Sequence, residues 1–451
     1  MLFLWPVCML MPACVNTFPD SNNDLTLALL ISQSTATSTL DAARITSGSA
    51  QSLSDATATS IAFNTENFDQ GNFFDSATPD RMIAPQLDIY FMSASAGFLN
   101  NATGRRMVSF SGDSVLLRDI RRAISTGQDT SASMGVLQQL SAGQILQLEL
   151  LQNSGGNLNT IADDTTNFAV ARMDRAVAGA ARARTNAGQN IIDSTPTVLT
   201  YHVEDYDTGG FYDLSQPDRM IASASGIYLV SAHGLWANTA NGSRGIELFM
   251  NGTTSIARDM REYVPADFTG QGVSTIIQLQ TGDYISARAF QTSGGGVTLQ
   301  SGAVLEMARL DSTGASTREI MYRRVPDGFA NLATGVDTFL TLSNVLRADS
   351  AYDTTNVNRT TILKDGIYLM VANLQIDANA ANRRRMELMV NSTTILSAYK
   401  RGIGAGGTTL NIVTLYKFTA GDYVEVRVNQ DSGSALAYVY KNSFLQMIKL
   451  D

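Results

Sequence analysis

The chain repeats itself at a long interval, and that interval constrains its fold more than any other feature. Gly226-Ile227-Tyr228 returns as Gly366-Ile367-Tyr368 and, more weakly, as Asp88-Ile89-Tyr90, with the tyrosines 138 and 140 residues apart. Gly282-Asp283-Tyr284 matches Gly421-Asp422-Tyr423 and the degenerate Gly143-Gln144-Ile145, at 139 and 139. Gln152-Asn153-Ser154-Gly155, Gln291-Thr292-Ser293-Gly294 and Gln430-Asp431-Ser432-Gly433 keep the same spacing. The copies close on Ala171-Arg172-Met173-Asp174, Ala308-Arg309-Leu310-Asp311 and Ile448-Lys449-Leu450-Asp451. Independent landmarks sharing one offset mean three tandem units. Such a unit far exceeds the roughly 20–50 residues of a solenoid repeat, so each copy needs a core of its own.

Within a copy the pattern is that of short strands. Runs at 227–231, 246–250, 274–280 and 284–290 are β-branched, aromatic and aliphatic, and 367–372, 386–390, 410–416 and 423–428 repeat them. Asn241-Gly242, Asn251-Gly252, Thr281-Gly282-Asp283 and Ser293-Gly294-Gly295-Gly296 separate them with residues that tolerate the positive φ of tight hairpins. Evenly spaced strands between turns predict an all-β fold of antiparallel sandwiches, one jelly roll per copy. Val424, Val426 and Val428 form one apolar face, opposite Glu425 and Arg427. The run 145–151 is more apolar than a half-solvated strand requires, which predicts a second buried face at a subunit or domain interface. The predicted division is an N-terminal anchoring or stalk segment 1–60, jelly roll 61–174, linker plus jelly roll 175–311, and linker plus jelly roll 312–451. Stretches 175–196 and 312–331 are read as linkers, and a short helix is expected over 40–44.

The series Phe211-Tyr212-Asp213, Pro217-Asp218-Arg219-Met220-Ile221, Gly226-Ile227-Tyr228-Leu229-Val230-Ser231-Ala232, Trp236-Ala237-Asn238, Asn241-Gly242-Ser243-Arg244, Gly282-Asp283-Tyr284 and Gln291 with Ser293-Gly294 resembles the C1q-like (C1q/TNF) jelly roll. It is most similar to the versions found in bacteriophage and bacterial surface proteins. The likeness covers 61–451. It departs at Asp88, at Ser111-Gly112, at Asn391-Ser392, and before Arg359, where the Pro-Asp is missing. The resemblance implies three tandem jelly rolls that trimerise and bind without catalysis, some relatives holding Ca²⁺, with both ends of each module at one base near a threefold axis. Two arrangements fit. A homotrimer of stacked tiers is favoured because non-identical copies suit a graded fibre; the other is a pseudo-trimer within one chain.

Composition narrows the function. The 451 residues are 44% hydrophobic and 16% charged, enough apolar side chain for sizeable cores. A net charge of −9 with a pI near 4.9 argues against nucleic acid as a partner. Two histidines and two cysteines, Cys8 and Cys14, leave little for His- or Cys-based catalysis or a zinc site, so no catalytic, cofactor or metal residue is expected. No apolar run is long enough to span a bilayer. Segment 1–15 is apolar but lacks a Lys or Arg before Arg44 and is broken by Pro6 and Pro12, so it reads as a signal peptide or as a docking peptide. The expected function is a non-enzymatic virion structural protein: a phage fibre, spike or capsid-decoration protein. The N-terminal segment would hold it to other virion proteins, and its heads would meet a host-surface glycan or protein. The alternative is a secreted or surface-anchored bacterial adhesin, extracellular or on the cell surface.

Several residues invite a site. Arginine recurs at Arg81, Arg219 and Arg359, at Arg106, Arg244 and Arg384, and at Arg121, Arg261 and Arg401. A basic patch for acidic glycans or a capsid surface is one reading; arginines tying loops to carbonyls or to Asp80 and Asp218 is the favoured one. His202 and His233 occur in one copy only and read as structural. Trp236 could stack on a sugar or fill an edge of the sandwich. Asp163-Asp164 and Asp205 with Asp207 read as turn carboxylates rather than Ca²⁺ ligands. Sequons at Asn101, Asn241, Asn251, Asn358 and Asn391 read as turns. Lysine appears only in the third copy, five times from Lys364 onward.

Overall fold

The computed structural model describes residues 40–112, 117–124, 127–173, 178–239, 241–310, 318–326, 331–403, 407–438 and 440–451. The expectations for 1–15 and for the stalk up to residue 39 lie outside them.

Each copy is an antiparallel jelly roll of an inner and an outer sheet. Five strands make each inner sheet. In the second copy they run in the order Val203–Asp207, Gly179–Arg184, Val304–Arg309, Gly226–Trp236, Thr269–Leu279. The first copy has Thr65–Asp69, Ala42–Thr46, Asn167–Arg172, Asp88–Phe98, Thr130–Leu140, and the third Asn344–Ala348, Ile320–Arg324, Phe444–Lys449, Gly366–Ile376, Thr408–Phe418. In each inner sheet the second strand listed is here called the leading strand, the third the closing strand, the fourth the Gly-Ile-Tyr strand and the fifth the axial strand. Each outer sheet ends on a rim strand: Leu117–Arg122, Thr254–Glu262 or Thr393–Arg401.

The residue pattern explains which sheet lies inside. In Tyr423–Gln430, Val424, Val426 and Val428 are buried while Glu425 and Arg427 are half-buried, the alternation of an outer strand. Every residue of Gly366–Ile376 is buried, because one face packs on its own sandwich and the other on a neighbouring copy. Double burial is thus strongest in the Gly-Ile-Tyr strands. Strand Ile145–Gln152 still alternates along most of its length, and only Leu151 joins an inter-copy cluster, with Met107 and Ile120 of its own copy and Val264 of the second.

Two sequence-based boundaries are corrected. The stalk does not extend to residue 60: Ala42–Thr46 is a fully buried strand paired in register with Asn167–Arg172, and Ser52–Leu53 pairs with Leu158–Asn159. No helix forms over 40–44, since tertiary pairing outweighs the helix preference of Ala42 and Ala43. The stretches read as linkers contain strands as well. Gly179–Arg184 and Gln189–Ile191 lie in the first, and Ile320–Arg324 in the second.

This leaves short connections. Met173 and Ala178 end the described parts of copies one and two, and five residues span at most roughly 18 Å. Copies one and two therefore lie close together, and strand contacts between copies set all three side by side. From Thr39 to Asp451 the chain is one compact unit. The rim strand of copy one packs on the axial strand of copy two, that of copy two on the axial strand of copy three, and that of copy three on the axial strand of copy one. The circle closes within one chain. The favoured homotrimer of stacked tiers is corrected to the second arrangement, the intrachain pseudo-trimer, because the faces a homotrimer would use are already filled. One apolar cluster runs across all three copies and includes Phe91, Leu137, Leu229, Ile276, Leu369 and Leu415.

Candidate functional site at the pseudo-threefold axis

Rim strands carry ions into the axis. Asp119 and Arg121 lie two apart on the first rim strand, so both side chains point to the same face, and Asp259 and Arg261 do the same on the second. Arg121 donates to both Asp119 oxygens at 2.9 Å and to the Ser131 carbonyl at 2.6 Å. Arg261 donates to Asp259 at 2.9 Å and across the copy boundary to Asp119 at 2.7 and 3.2 Å, and also holds the Gly270 carbonyl. Lys400 of the third copy reaches Asp259 and bonds the Thr409 carbonyl at 2.7 Å. Ser131, Gly270 and Thr409 are equivalent, so each cation caps the same carbonyl of its own copy. The result is a chain of charge, Arg121–Asp119–Arg261–Asp259–Lys400, through all three copies.

All five side chains are buried. Burial opposes the charge on Asp119, but Arg121 and Arg261 outweigh it and hold its carboxyl far below the ordinary range. Arg261 is pushed up, because Asp119 and Asp259 outweigh its burial. Burial brings the Lys400 ammonium down to about 7, opposed by Asp259.

The third cation is not the one the repeat spacing picked. Strand register sets Arg106 opposite Arg121, Arg244 opposite Arg261, and Arg384 opposite Lys400. Register gives the axial slot to Lys400, and the side chain of Arg401 lies outside those described. Its companion two residues earlier is Ala398, where the other copies have Asp119 and Asp259.

A second set of polar residues brackets the three boundaries. Leading and closing strands place Arg44 opposite Ala169, Arg182 opposite Glu306, and Tyr322 opposite Gln446. Arg182 donates to the Leu137 carbonyl at 3.0 Å and Glu306 accepts from the Leu137 amide at 3.1 Å. Gln446 makes the same pair of bonds to Ile276, the residue equivalent to Leu137, both at 2.8 Å. Arg44 bonds Thr414 at 3.2 Å and the Ile395 carbonyl at 3.0 Å. Each boundary thus satisfies a buried strand edge with different side chains. Burial pushes Glu306 up to about 7 against the pull of Arg182. His233 lies beside this bracket, its Nε2 3.9 Å from Glu306; burial and then Arg182 push it down to about 3.

The remaining sequence candidates are structural. Arg106 bonds the carbonyls of Thr103, Arg105 and Asn101, and Arg384 those of Ala381, Arg383 and Asn379; Arg244 does the same for Ser243 and Asn241. Arg81 and Arg219 pair with Asp80 at 3.1 Å and Asp218 at 2.8 Å, while Arg219 and Arg359 also lie over the rings of Tyr284 and Tyr423. Trp236 is fully buried and donates to Gln271 at 2.5 Å. Asp163 accepts from Thr165, Asp164 from Thr46, Asp205 from Arg182 and Arg184, and Asp207 from the amides of Gly209 and Tyr212. Asn251 and Asn391 take positive φ, and each donates to the aspartate of its Gly-Asp-Tyr turn. His202 is exposed. Among the described residues no group of His, Cys, Asp or Glu is placed to hold a metal ion, and no helix is long and apolar enough to cross a membrane.

Sequence reasoning missed the bracket residues Arg44, Arg182, Glu306 and Gln446. A polar residue inside an otherwise apolar strand was the available signal. It also missed a cleft of about 590 Å³ between copies two and three, where Ile256, Ile277, Tyr322 and Leu346 meet Arg324 and the hydroxyls of Thr253, Thr254 and Ser255.

Among solved structures the chain is similar to murine APRIL (14% identity over 30% of this chain and 100% of that one, TM-score 0.25). It is also similar to Pika GITRL (17%, 30% and 96%, 0.22) and to Eiger TNF from S. frugiperda (12%, 30% and 93%, 0.26). No family model and no curated protein matches the chain.

Proposed function

We propose that this protein is a non-enzymatic virion structural protein, a fibre, spike or capsid-decoration component that displays a C1q-like three-lobed head. Its N-terminal segment joins it to other virion proteins. The observation that carries this reading is the fate of the ionisable residues: the conspicuous ones are spent on the axis, the copy boundaries or loop carbonyls. A catalytic base has to exchange protons with a substrate, whereas His233 is buried and held neutral. Rigid polar ties between lobes suit display. The cleft between copies two and three is the place where a host-surface glycan or protein would seat, with the Tyr322 ring and Arg324 offering stacking and charge.

Electron microscopy of particles labelled with antibody against this chain tests the role, and label on a vertex, head face or tail tip is expected. Label on bacterial cell surfaces in the absence of particles would instead establish the adhesin. Cleavage of host polysaccharide by the purified protein would overturn the non-enzymatic reading. Light scattering should return a mass near 48.4 kDa, that of one chain, and a mass three times larger would overturn the single-chain head.

A further inference from the structure

The axial ion chain is unbalanced. Arg121, Arg261 and Lys400 face two carboxylates, and Ala398 stands where a third would be. Just beyond lies a cavity of about 20 Å³ lined by Arg121, Arg122, Arg261, Glu262 and Lys400. Arg122 and Glu262 cancel each other at 2.6 Å. Four cations against three anions, Asp119, Asp259 and Glu262, leave one positive charge uncompensated among the described side chains there. Each cation has a carboxylate partner, but the carboxylates are shared, and a net charge held among buried side chains is costly, so an added anion would stabilise the cluster. We propose that this cavity binds one monatomic anion, chloride in the cell, which supplies the negative charge that Ala398 leaves missing from the third copy. The cavity has room for a small guest, of about the size of a water molecule, which suits a monatomic anion. Bound there, the anion keeps Lys400 charged and ties the third copy to the other two.

Two measurements test this. In crystals grown with bromide, an anomalous peak is expected on the axis within hydrogen-bond reach of Lys400, and an empty axis overturns the proposal. In solution, replacing gluconate by chloride at constant ionic strength should raise the thermal midpoint by about 2 °C or more. Ala398→Asp supplies the missing carboxylate and should abolish that response. Lys400→Met removes the surplus charge and should abolish it too, which keeps the test alive if one variant fails to fold. Equal midpoints in the two salts, or a chloride response unchanged in either variant, refute the site.

Discussion

Gly135 and Val413 are 278 positions apart in the chain, yet a methyl group on Gly135 would lie 2.4 Å from Val413 Cγ1 and 3.2 Å from Phe91 Cζ. Gly135, Ser274 and Val413 are equivalent positions on the three axial strands, so the small residue in copy one makes room for the large one in copy three. Gly135→Ala forces buried Val413 or Phe91 aside, and overpacking of this kind costs about 1–3 kcal/mol. Val413→Ala removes two buried methyl groups, at about 0.8 kcal/mol each plus the cavity left behind, or roughly 2–3 kcal/mol. In the double variant the new methyl group occupies part of the vacated space. Its cost should fall short of the sum by at least about 1 kcal/mol, whereas residues that do not touch add to within about 0.5 kcal/mol. Urea denaturation of the wild type, both single variants and the double variant measures the coupling. Additive effects would refute the pseudo-trimer, because stacked tiers would keep these residues apart.

Other perturbations report on separate parts of the molecule. Arg244→Ala leaves the Ser243 and Asn241 carbonyls without their charged donor and should cost about 2–3 kcal/mol by denaturant midpoint, with Arg244→Lys recovering only part because an ammonium lacks the planar fork. His233 binds its proton less tightly when folded, at about 3 against 6.5 unfolded, so its contribution is full above pH 6.5 and is lost as pH falls toward 3. His233→Asn, which copies Asn373 of the third lobe, should flatten that acid limb in thermal melts. Glu306 has the opposite sign: its folded value of about 7 lies above 4.5, so its contribution is full below pH 4.5 and lost as pH rises through 7. Glu306→Gln, which copies Gln446, should remove that dependence and keep the bond from the Leu137 amide.

Much of the fold was legible because it is local. Gly282-Asp283-Tyr284 and Gly421-Asp422-Tyr423 sit at turns whose glycines have positive φ, and the alternation in Tyr423–Gln430 is the burial pattern of that strand. The opening strand of each copy was harder to read. Ala42–Thr46 becomes a strand by lying between Thr65–Asp69 and Asn167–Arg172, the second of them more than a hundred positions away. The axial site was half legible. Arg121 and Arg261 follow the repeat, but the hairpin of the third copy is one residue shorter than that of the second, which moves the slot to Lys400, and only strand register shows it.

The sequence by itself determined that there are three jelly-roll copies, with their turns and strand faces, since backbone preference and side-chain alternation act over a few residues. The tertiary structure alone decided that the copies close on one another. That closure depends on Gly135 meeting Val413, on Arg182 and Gln446 reaching neighbouring strand edges, and on charges gathered from three distant strands. Contacts of this kind depend on distances across the axis, and nothing in a linear pattern encodes those until the lobes have packed.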